Sequence, residues 1–311
     1  MGFGGGAMIG SPLAVILMRH FQTPDSVGVW KTFLAMGAIY FLFMIGGAFA
    51  YRVPPAGWRP EGWNPPENKK SLITTRHVHV RDPYKTVSLW LIWLVLTLNV
   101  SAGIGVIGIA SPMLQEIFGG SLIGHYDLGF AQVQADAQLK ASAAAIAAGF
   151  VGLLSLFNIG GRIFWASLSD VVGRKGTYAI FFLLGIALYT AAPTAAWWGS
   201  IPLFVLCFCI ILSMYGGGFS TVPAYLAHIF GTQYVGAVHG LLLTAWSTAG
   251  IIGPVVVNYI REAQINAGVP RDHIYDFTIY ILAGMLVVGF FCNLAVHHVW
   301  TTLQKAVLLF Q

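Results

Sequence analysis

Arg162 stands in the run NIGGRIFWASLSD, eight residues before Asp170, inside a stretch otherwise apolar enough for the interior of a bilayer. At helical rise that separation is about 12 Å, and an arginine side chain can snorkel across only part of it. Holding a guanidinium at such depth costs at least about 2.5–3.5 kcal/mol, so it should face a partner or a watered cavity. Asn158 lies one turn earlier on the same face, where its amide can bond either the guanidinium or a ligand oxygen. A planar fork of five donors suits a small carboxylate. Alternatively, Arg162 bonds helix-end carbonyls and pins the ends of a helical bundle.

A second polar group follows at once. Asp170, Arg174 and Lys175 bracket a tight Ser-Asp-x-x-Gly-Arg-Lys turn, with Gly173 allowing the reversal. Such a turn can hold a charge network to a neighbouring helix end and release it, which makes these three residues gating candidates. The plainer alternative is a basic loop that only sets topology. Further on, Thr244, Ser247 and Thr248 place hydroxyls on about one helix face, beside Trp246. A tryptophan near the membrane midplane needs a buried acceptor for its N–H and offers an apolar wall to a ligand; core packing is its other use. Thr244, Trp246 and Tyr215 therefore join Arg162 and Asn158 as candidate substrate contacts. His239 could titrate, although an ordinary hydrogen-bonded role is the plainer one.

These residues need membrane-spanning helices to position them, and the composition supplies such helices. Of 311 residues 57% are hydrophobic and 9% charged, with 37 glycines, 21 phenylalanines and 10 tryptophans; the mean hydropathy is +0.75. A soluble domain carries about 25% charged residues. The net charge of +5 lies in loops beside the spans, so it reflects topology and not nucleic-acid binding. Eight stretches reach a bilayer's length: about 3–18, 32–50, 88–112, 142–168, 177–194, 201–227, 235–260 and 277–299. Placing both termini and the connections after spans two, four and six on one side gives it ten Lys/Arg against four acids. The opposite side has five against seven. The basic excess puts the first side, with both termini, in the cytoplasm.

The proline-rich residues 51–87 read as a cytoplasmic linker between the first two spans and the six that follow. Residues 113–141 read as a sizeable outer loop, and Ser111-Pro112 as a kink ahead of it. The Tyr215-Gly-Gly-Gly-Phe-Ser-Thr-Val-Pro223 stretch reads as a broken helix. None of the eight spans contains Asp or Glu. Cys207, Cys209 and Cys292 lie within apolar runs and have no disulfide or zinc spacing. No phosphate-cradling loop, metal cluster or nucleophilic triad appears, so neither a cofactor nor a metal is expected, and an enzyme is disfavoured.

The turn SDVVGRKG after NIGGRIFWA resembles the inter-helix signature of the major facilitator superfamily. Four pieces, GFGGGAMIGSPLA, YRVPPAGW, NIGGRIFWASLSD and GLLLTAWSTAGIIGP, are similar to its oxalate/formate antiporter family. The resemblance implies an all-α membrane bundle in which the eight spans are helices five to twelve of twelve. Residues 1–50 would be the last two helices of an incomplete first half, and residues 88–311 a six-helix second half. A preceding segment or a partner chain would supply helices one to four. It further implies alternating access, with Arg162 matching the eighth-helix arginine that contacts substrate. The family's eleventh-helix lysine is Trp246 here, and losing that cation favours a monocarboxylate such as formate, lactate or pyruvate over oxalate. The expected protein is a secondary carrier of small organic anions in a bacterial inner membrane, with lipid and a small carboxylate as its partners. A membrane sensor without transport, or an inactive carrier fragment, is the alternative.

Overall fold

The computed structural model describes residues 2–55, 57–62 and 77–297. These residues are almost entirely α-helical and belong to two compact units, one within Gly2–Ser71 and the other within Leu72–Gln311.

In the first unit, α1 (Gly2–Phe21) packs against α2 (Val29–Ala50). Gly28 makes the entry to α2 at a φ of 77°. A Cβ there would lie 2.8 Å from the Phe21 backbone, so the turn admits little but glycine. Phe33, Leu34, Phe41, Leu42 and Phe43 of α2 are all exposed, a surface suited to hydrocarbon. Part of the predicted linker, residues 63–76, lies outside the described residues, as does everything after 297.

The second unit contains α3 (Val87–Phe118), the short α4 (Phe130–Ala135), α5 (Ala137–Val172), α6 (Arg174–Trp197) and α7 (Ile201–Phe230). It continues with α8 (Val235–Leu242), α9 (Thr244–Asn266) and α10 (Asp276–Ala295). Among the described residues seven segments are long and apolar enough to cross a membrane: α2, α3, α5, α6, α7, α8 with α9, and α10. The remaining expected span coincides with α1, whose apolar part is the shorter Met8–Phe21. α5 runs along α7 and α3 along α9, while α6 packs against both α7 and α10.

Hydrogen bonds fix the two ends of this unit. At one end Ser88 donates to the His297 carbonyl at 2.7 Å, Lys175 Nζ to the Leu294 carbonyl at 2.7 Å, and Val78 N to the Phe230 carbonyl at 3.0 Å. At the other end Trp197 Nε1 donates to Asp276 Oδ2 at 3.0 Å. Buried tyrosines satisfy their hydroxyls across helices, Tyr178 on the Gly218 carbonyl at 2.8 Å and Tyr189 on the Ala102 carbonyl at 2.9 Å. The three cysteines are free thiols.

Three expectations need correction. First, α7 is unbroken from Ile201 to Phe230. Its glycines serve close contact: a Cβ on Gly216 would stand 2.2 Å from the Asn158 carbonyl oxygen, and one on Gly217 would stand 2.6 Å from Trp165. The break lies in the seventh expected span, at Leu243 between α8 and α9. Second, the outer loop begins later than expected. α3 passes through Pro112 to Phe118, and a 3₁₀ turn follows at Gly119–Ile123. Third, the helix that carries the third expected span includes an acid near its end: Glu116, with 3% of its side chain exposed, meets Arg261 of α9, which itself extends past residue 260. An apolar window stops at a charge, whereas a buried ion pair lets the helix continue through it.

Candidate functional site

Backbone contact between α5 and α7 builds the neighbourhood of Arg162. A Cβ on Gly161 would lie 2.0 Å from the Ser213 carbonyl oxygen, so glycine is what allows the two helices to touch. Polar bonds then fix their register: Trp165 Nε1 donates to Ser213 Oγ at 3.1 Å, and Ser220 Oγ donates to the Arg162 carbonyl at 3.0 Å.

With the backbones so placed, the Arg162 guanidinium lies over the Phe219 ring, 5.5 Å from its centroid. Its Nε donates to Asn158 Oδ1 at 3.3 Å, across one turn of α5. Tyr215, one turn before Phe219, meets that ring edge-on at 5.2 Å and presses against Gly103 of α3. Trp246 of α9 meets Phe219 from another direction at 5.8 Å. Asn158 and Tyr215 are buried, while Arg162, Phe219 and Trp246 are half-buried. Four of the five expected substrate contacts thus come together from α5, α7 and α9. Phe219 was missed, although its spacing of four from Tyr215 puts both rings on one face.

Thr244 does not join them. Its hydroxyl accepts from Trp93 Nε1 of α3 at 2.9 Å and donates to the Leu241 carbonyl at 2.8 Å, beside the break at Leu243. Thr248 bonds its own helix, at the Thr244 carbonyl. His239 Nε2 is buried without a hydrogen bond among the described residues, not in the bonded role expected.

The Asp170 turn divides into two parts. Arg174 bonds Asp170 and also donates to Ser169 Oγ at 2.6 Å, and its side chain is 9% exposed. Lys175 leaves that pair and caps α10, donating to the Leu294 and Val296 carbonyls at 2.7 and 2.8 Å. Asn293 Nδ2 returns a bond to the Lys175 carbonyl at 3.0 Å, while its Oδ1 accepts from the Tyr225 hydroxyl at 3.2 Å. This end of the unit is therefore held by one cation, Lys175, on helix-end carbonyls, and by another, Arg174, on the side chains of Ser169 and Asp170. Capping carbonyls is the role that the sequence alone also allowed Arg162, whose contacts include the Asn158 amide and the Phe219 ring.

Chemically, the Arg162 cluster combines one cation with an amide and three aromatic rings. A charge held under rings can receive an anionic oxygen while the rings wall the rest of a small ligand.

The sequence pattern of the Major Facilitator Superfamily matches residues 1–254. Among curated proteins, the oxalate:formate antiporter of Oxalobacter formigenes is 25% identical over 73% of this chain and 46% of its own length. The uncharacterized MFS-type transporter YhjX of Escherichia coli (strain K12) is 23% identical over 74% of the chain and 49% of its own length. The glucose transporter GlcP of Staphylococcus epidermidis is 37% identical over 30% of the chain and 20% of its own length. The chain spans about half the length of the first two.

Proposed function

This chain belongs to the Major Facilitator Superfamily, as a multi-pass membrane protein with seven described segments able to cross a bilayer, and we propose that it serves the transport of small organic anions. The substrate class is a monocarboxylate such as formate, lactate or pyruvate, moved in exchange by alternating access. The carboxylate binds the Arg162 guanidinium, and Asn158, Tyr215, Phe219 and Trp246 form the surrounding wall.

One observation carries this: the guanidinium of Arg162, within a span, lies over Phe219 of α7, whose ring also meets Trp246 of α9. Such a placement costs several kcal/mol in a bilayer and is retained where the charge is used. The relative named as an oxalate:formate antiporter supports an anion as cargo. Trp246 adds no second charge, and one guanidinium neutralises one carboxylate. A dianion would leave a charge without a partner in a poorly hydrated site. Asp170, Arg174 and Lys175 are proposed to act by closing one end of the path, not by touching substrate. That end faces the cytoplasm of a bacterial inner membrane, following the basic excess around it.

Exchange of labelled formate, lactate, pyruvate, oxalate and glucose in proteoliposomes tests the proposal. Monocarboxylates should exchange best and Arg162→Ala should remove that exchange. A preference for oxalate overturns the substrate class. Glucose exchange that survives Arg162→Ala would favour a sugar carrier instead, the activity named for the third relative.

A further inference from the structure

The buried ion cluster at the far end of the second unit, opposite the Asp170 turn, contains more cation than its carboxylate needs. Arg261 Nε donates to Glu116 Oε2 at 3.0 Å, and its Nη2 bonds the other oxygen. The Tyr275 hydroxyl donates to Oε2 at 2.5 Å. Burial and the neighbouring carboxylate push that hydroxyl's pKa up, so Tyr275 remains a donor. One full charge and three hydrogen bonds already satisfy Glu116. Arg271 is a second cation on the same carboxylate, with Nη1 3.3 Å from Oε1 and 44% of its side chain exposed. That is the one hydrogen bond of the Arg271 guanidinium among the described residues, and most of its five-donor fork is unused.

Arg271 also borders a cleft of about 420 Å³, within the size range of small-molecule sites. Phe118, Leu128 and Phe130 give the cleft apolar walls, and the guanidinium lies 5.9 Å from the Phe130 ring centroid. Asp272 is on the rim as well, with its carboxylate 3.5 Å from His273 Nε2. An acid there disfavours a dianion and tolerates a single negative charge that pairs with Arg271. Glu116 lies thirteen residues beyond Gly103, the residue against which Tyr215 packs. That is about 20 Å of helical rise, so the cleft and the Arg162 cluster are separate places.

We propose that this cleft is a second anion site of the chain, taking a small monocarboxylate with an apolar portion. The carboxylate pairs with the unused donors of Arg271, and the remainder rests against Phe130 and Leu128. Its ligand class rests on the reading of Arg162, whereas its geometry is independent of it. In a carrier, such a site at the outer mouth would hold substrate before or after passage.

Saturation-transfer NMR with L-lactate on the full chain in detergent separates the two sites. The forms compared are the native chain, Arg162→Ala, Arg271→Gln and the double variant. Arg162→Ala should retain a saturable lactate signal, and adding Arg271→Gln should weaken it about tenfold or more, the effect of losing a charge-assisted bond. Arg271 is half-exposed and makes one long hydrogen bond, so its variant should unfold at the native temperature; Arg271→Lys, which keeps the charge, should recover part of the signal. If Arg162→Ala alone abolishes all saturable binding, the second site is overturned while the Arg162 site stands. If the double variant binds like Arg162→Ala, the residual site is elsewhere and the proposal falls. If Arg162→Ala binds like the native chain and Arg271→Gln does not, the Arg162 reading fails and the cleft survives.

Discussion

A guanidinium beneath an aromatic ring keeps its charge and loses much of its water. Cation–π attraction contributes about 0.5–2 kcal/mol in such a setting, and Phe219 and Asn158 help to offset the desolvation of Arg162 in this way. Trp246 then decides how much anionic charge the cluster can take, because it fills space near Phe219 without adding a cation. Replacing it tests that role. Trp246→Lys should raise the ratio of oxalate to formate exchange in proteoliposomes by about tenfold or more, since a buried charge pair exceeds 1.4 kcal/mol. An unchanged ratio would mean that substrate charge is not decided at Trp246. Arg162 and Asn158 were legible in the sequence because their relation is local, one helical turn. The Glu116–Arg261 pair was not, since its partners are 145 residues apart and each looks like a loop charge on its own.

Among the helices, contact between α5 and α7 is what brings the guanidinium to Phe219. Gly161→Val would push methyl groups into the Ser213 carbonyl, where even a Cβ lies at 2.0 Å. Overpacking of that kind costs about 1–3 kcal/mol, and the helices cannot separate without moving Arg162. The apparent melting temperature in detergent should fall by about 4 °C or more. Gly152→Val on the same helix, where a Cβ meets nothing within 4 Å, should leave it nearly unchanged. Equal melting of the two variants would remove the close-contact account. The six long segments of the second unit were readable from apolar run length, but their ends were not. Hydropathy cuts a helix at its first charge, so α3 was cut short of Glu116 and α9 short of Arg261. Three consecutive glycines fit a helix break and a helix contact equally well. Only a neighbouring backbone, here that of Asn158, separates the two. The break at Leu243 had no such signature, because Leu242, Leu243 and Thr244 continue the helical pattern on both sides of it.

At the scale of the molecule, α3 to α10 carry both anion-binding proposals, one in the middle of the second unit and one at its end. The Asp170 turn holds the opposite end through Arg174 on Ser169 and Lys175 on the carbonyls of α10. In the proposed alternating-access cycle the Arg162 cluster is one wall of a central path. The transport reading depends on a carboxylate meeting Arg162 itself. The most direct measurement is the rate at which phenylglyoxal modifies each arginine, followed by peptide mass spectrometry with and without saturating lactate. Lactate is predicted to slow modification of Arg162 severalfold and to leave Arg174, held against Asp170 and Ser169, unaffected. Modification of Arg162 at the same rate in both conditions would contradict the account.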